Sequence, residues 1–96
     1  MEERICVVRR WLEIEVGTQF VLQYDILVDL SLLPGGGELE LFGVAVRNMQ
    51  TGEETGVHAI FLHMEEAEAL VEKLAAGSVT PCTLRDVVED YIVAAG

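Results

Sequence analysis

The sequence predicts an α+β domain of two layers. A four-stranded, mainly antiparallel sheet comes first, and two C-terminal helices pack on one of its faces, in the order ββββαα. Three observations carry this. Period-two alternation of apolar residues fills the first two thirds of the chain, helical periodicity fills the last third, and the two never interleave. The boundaries read as strands at about 4–14, 19–30, 38–48 and 54–62 and helices at about 64–76 and 81–94.

Arg4–Ile14 alternates with bulky apolar residues on both sides. Cys6, Val8, Leu12 and Ile14 share one face with Arg10, and Ile5, Val7, Arg9, Trp11 and Glu13 share the other, as in a strand packed on two sides. Gly17 supplies a reversal. In Gln19–Leu30 every second residue from Phe20 is apolar, and Asp25, Asp29, Gln19 and Gln23 lie between, so one face belongs to the core. Leu33-Pro34-Gly35-Gly36-Gly37 ends that pattern and reads as a mobile loop. Its glycines lead into Glu38-Leu-Glu-Leu with no following Lys-Ser/Thr and no helix, so the phosphate-binding patterns are not met. Glu38–Asn48 is the third strand. Gly43 inside it predicts a bulge or a close backbone approach. Gln50–Glu53 is a turn, and Glu54–Leu62 returns as the fourth strand.

Met64, Ala67, Leu70, Val71 and Leu74 then fall on one helical stripe, with glutamates near the first turn and Gly77 in the C′ role at the end. The second helix has the signature of Thr80 as N-cap, Pro81 at the first position, and a Val79–Leu84 staple. Leu84, Val87, Val88, Tyr91 and Ile92 form its apolar stripe. That stripe is expected to lie over the sheet face bearing Phe20, Leu22 and Tyr24.

The run Pro81-Cys-Thr-Leu-Arg-Asp-Val-Val-Glu-Asp-Tyr-Ile, together with Phe42-Gly-Val-Ala-Val, the Gly-containing turn after it and the acidic helix, resembles a family of short uncharacterised proteins. They come mostly from anaerobic Gram-positive bacteria and are classed as a domain of unknown function. The resemblance spans about residues 20 to 93, and this chain departs from it in a longer Pro34–Gly37 insertion. It implies this fold and a cytoplasmic origin, and it brings no activity, cofactor or catalytic residue.

The chain has 96 residues, 51% of them hydrophobic, which is rich for a domain with so much surface and predicts a homodimer or another protein partner. A net charge of −11 disfavours nucleic acid and anionic membranes. No apolar run approaches a spanning length, no signal peptide is evident, and Cys6 and Cys82 lie far apart, which together predict a cytoplasmic protein with reduced thiols.

Candidate chemistry is sparse. Cys82 falls at the second position of the expected helix, where the dipole favours a thiolate, but with Asp86 one turn on it reads better as a half-buried structural cysteine. His58 and His63 are candidate metal ligands, yet five positions apart they would point to opposite faces if both stood on the fourth strand, and His63 reads more simply as the residue that joins strand to helix. Asp86, Glu89 and Asp90 read as a solvated helix edge. Arg9, Trp11 and Arg47 are the candidate interaction residues, part of a non-acidic patch on the sheet. No cofactor is implied. The residues favour a protein–protein interaction or regulatory module, with a thiol- or metal-dependent enzyme centred on Cys82 as the alternative.

Overall fold

In a computed structural model, residues 2–15 and 18–95 are described in their backbone, and residues 21–94 also in their side chains. The order is β1 (Glu2–Glu15), β2 (Thr18–Leu32), β3 (Glu38–Asn48), β4 (Glu54–Phe61), α1 (Met64–Ala76) and α2 (Leu84–Ala95). This is an α+β chain whose antiparallel sheet precedes its two helices, as the separated periodicities predict. Strand order is β1-β2-β3-β4, and side-chain packing is described on three of these strands, β2, β3 and β4. The expected reversal at Gly17 lies outside the described residues.

One face of the sheet meets the helices. Leu22, Tyr24, Ile26 and Val28 of β2 and Phe42, Val44 and Val46 of β3 are buried against Ala67, Leu70, Val71, Leu74 and Ala75 of α1 and Leu84 and Val88 of α2. Helix α1, not α2, is the central cover, since it packs on β2 and β3 while α2 packs on β4. The stripe expected on α2 is accordingly cut short: Val87 and Tyr91 are half-buried and Ile92 is exposed. Tyr91 still meets Phe61 of β4 edge-on at 6.4 Å, and the Lys73 ammonium lies 5.0 Å from the centre of its ring.

The link between the helices differs from its sequence signature at both ends. Val79 N–H donates to Leu74 O (3.0 Å) and Ser78 N–H to Ala75 O (3.1 Å), the paired bonds of a Schellman motif. Ser78 takes the left-handed conformation (φ 51°), so it holds the C′ place expected of Gly77, which is the C-cap with φ −88°. Pro81–Thr83 is not the first turn of α2. Thr83 N–H donates to Thr80 O (3.2 Å), closing a separate turn, and Val87 N–H donates to Thr83 O (3.1 Å), so α2 starts three residues later than Thr80 and Pro81 indicate. Fully buried Tyr24 fixes this link to the sheet by donating to Val79 O at 2.9 Å.

Both outer strands are irregular. In β1, Cys6 pairs with Asp25 and Val8 with Tyr24, which leaves Val7 as an extra residue. The bulge changes the expected face assignment: Cys6 falls in a row with Asp25, on the opposite parity from Val8 and Tyr24. In β4, Phe42 pairs with Phe61 and Val44 with Val57, so His58, Ala59 and Ile60 stand against Gly43 alone. Ala59 has φ 55° at the crest. Gly43 makes this possible, because a Cβ there would collide with Val57 O and come 2.8 Å from His58 Cα. Bulges of this kind obstruct the addition of a further strand.

The Gly-rich connection closes on itself as a turn. Leu33 N–H donates to Gly37 O (2.7 Å) and Gly36 N–H to Leu33 O (3.1 Å), with Gly35 and Gly36 at φ near +95°.

The helix-free sheet face as candidate site

The other face of the sheet gathers the residues that alternate with the core. Val21, Gln23, Asp25 and Leu27 of β2 and Ala45 of β3 are buried, yet none belongs to the cluster under the helices. Two of its β3 positions, Gly43 and Ala45, are small, and larger side chains meet across them. Leu27 reaches from β2 over Ala45 to Gly56 of β4, where a Cβ would sit 3.1 Å from Leu27 Cδ1. His58 Nδ1 likewise meets Asp29 Oδ2 at 3.0 Å, joining β4 to β2 beside the bare Gly43. Gln23 Nε2 donates to both oxygens of Asp25 (3.0 and 3.3 Å), so two buried polar groups of this face satisfy one another.

The register then places two of the three candidate interaction residues in one row. Arg9 pairs with Gln23, Gln23 with Arg47, and Arg47 with Glu54, which gives Arg9–Gln23–Arg47–Glu54 across all strands. Trp11 pairs with Val21 two positions along β1. The side chains of Arg9 and Trp11 lie outside the described residues. Arg47 Nη2 donates to Glu54 Oε2 at 3.2 Å, with the two side chains 39% and 27% exposed. The row is what sequence alone does not reveal: it depends on the Val7 bulge, which no residue type there announces.

The remaining candidates do not converge. Cys82 is exposed in the turn before α2, neither half-buried nor within the helix, and its Sγ lies 3.3 Å from Thr80 Oγ1. His58 sits in the β4 bulge, and His63 lies beyond the strand as the exposed residue before α1, the junction of strand and helix that its position predicts. Among the described residues, no group of three or more His, Cys, Asp or Glu is gathered as a metal would require. Asp86, Glu89 and Asp90 are all exposed, the solvated edge their spacing predicts. Among the described residues no helix is long and apolar enough to cross a membrane.

No curated protein and no solved structure is significantly similar to the chain. A family model does match, over residues 3–94, and on that near-complete match the chain belongs to the family of unknown function DUF6514.

Proposed function

We propose that this chain is a protein–protein interaction module that works as a homodimer, joined through the sheet face opposite the helices. One observation carries the reading, the charge order of the row Arg9–Gln23–Arg47–Glu54. Two sheets stacked face to face about a two-fold axis along the strands lay this row on its own reverse. Arg9 of each copy then stands opposite Glu54 of the other, while Gln23, buried within its own chain, keeps the middle of the row. Such self-complementarity is what an isologous interface requires. The bulged outer strands favour this face over edge-to-edge pairing. An alternative stacking, arginine row against the acidic helices of a twin, joins opposite faces of the domain and runs on as an open chain instead of closing.

The test is a charge exchange read by sedimentation equilibrium. Arg9→Glu and Glu54→Arg, separately, each weaken the dimer by bringing like charges together, and the double variant restores it. Failure of the double variant to recover removes the proposed register.

A further inference from the structure

The hairpin of β2 and β3 runs on past its neighbours. The last pair with β1 is Glu2–Asp29 and the last with β4 is Phe42–Phe61, so from Leu30 to Leu41 only two strands remain among the described residues. The core ends just before this ribbon, at Val28 and Phe42. Two-stranded ribbons are marginal alone, and this one carries leucines at its tip: Leu30 is 43% exposed, Leu32 78% and Leu33 44%. Leu30 stands opposite Glu40 and Leu32 opposite Glu38, and both glutamates are exposed. By strand parity these four continue the face that carries Val28 and Phe42, so the ribbon presents an apolar line edged by negative charge on the side of the helices.

Charge decides what suits it. A second ribbon laid on the same face brings Glu38 and Glu40 of both copies together in a chain whose net charge is already −11. A self-contact is thereby disfavoured. An amphipathic segment with basic residues beside an apolar stripe satisfies both features at once. We propose that the Leu30–Glu40 ribbon docks a basic amphipathic segment of another protein, at a surface separate from the dimer face.

The experiment measures binding of a short fluorescein-labelled peptide of alternating leucine and lysine to the full chain by anisotropy. Leu30→Ser with Leu32→Ser is expected to weaken binding at least about tenfold, as loss of a central apolar anchor does. Glu38→Gln with Glu40→Gln is expected to weaken it severalfold and to flatten its dependence on salt. Ile92→Ser with Val93→Ser, which alters the exposed end of α2, leaves affinity unchanged. Far-UV circular dichroism checks folding, and Leu32→Ser alone replaces the double variant if that fails to fold. Unchanged affinity in the leucine variants overturns the proposal, as does an equal loss from the α2 variant, which signals general stickiness. A fall in the mass of the dimer on changing Leu30 and Leu32, without loss of peptide binding, makes a second copy the occupant and likewise overturns it. Retained peptide binding in Glu54→Arg leaves this inference standing even if the dimer register fails.

Discussion

Replacing Gly43 by alanine tests the architecture of the helix-free face at its tightest point. The new methyl group meets Val57 O and lies 2.8 Å from His58 Cα, both backbone atoms of the β4 bulge. Overpacking usually costs about 1–3 kcal/mol. Backbone cannot swing aside as a side-chain end does, so about 3 kcal/mol is expected, or a β4 displaced from β3. In a domain of this size each kcal/mol moves Tm by about 4–8 °C, which predicts a fall of roughly 12–24 °C. Gly56→Ala is the control. Its methyl group meets chiefly Leu27 Cδ1 at 3.1 Å, the movable end of a side chain, so the cost stays near 1 kcal/mol. Urea unfolding followed by far-UV circular dichroism measures both. A Gly43→Ala cost below about 0.5 kcal/mol, or one no larger than that of Gly56→Ala, refutes the reasoning.

Three further outcomes follow from the helix link and its neighbours. Ser78→Gly stabilises by about 0.5–1 kcal/mol in urea unfolding, because glycine adopts the left-handed C′ conformation without the Cβ penalty that serine bears at φ 51°. Tyr24→Phe leaves Val79 O without the phenol donor and lowers stability by about 1–2 kcal/mol, read as a lower urea midpoint with an unchanged slope. Cys82 is exposed, so a chromogenic disulfide reagent labels it in the folded chain, and Cys82→Ser removes one equivalent of that rapid labelling; no loss of rapid labelling in Cys82→Ser contradicts its placement.

The parts of the fold legible in the sequence are those written as periodicity. The alternation through Leu22, Tyr24 and Ile26 and the α1 stripe of Ala67, Leu70, Val71 and Leu74 fix which faces are buried, because a register slip exposes all of them together. Gly43 was readable as well, since a glycine inside an apolar strand implies a close approach. Caps and bulges were less so. Gly77 and Ser78 are adjacent, and the Schellman bonds, not residue preference, decide which takes the left-handed place. Thr80-Pro81 has the composition of a helix start, but the carbonyl of Thr80 accepts from Thr83 and closes a turn of its own. At the candidate face, Arg9, Trp11 and Arg47 could be named from charge and strand position. The alignment of Arg9 and Arg47 with Gln23 and Glu54 could not, because one extra residue at Val7 moves every later position of β1 to the other parity.

Sedimentation equilibrium of the wild type beside Arg9→Glu, Glu54→Arg and the double variant tests the central claim most directly. The wild type is expected to sediment as a particle of twice the 10.6 kDa chain at about 100 μM, with association at least about tenfold weaker in each single variant and recovered in the double variant. A wild-type chain that stays at 10.6 kDa, or a double variant no stronger than the singles, contradicts it.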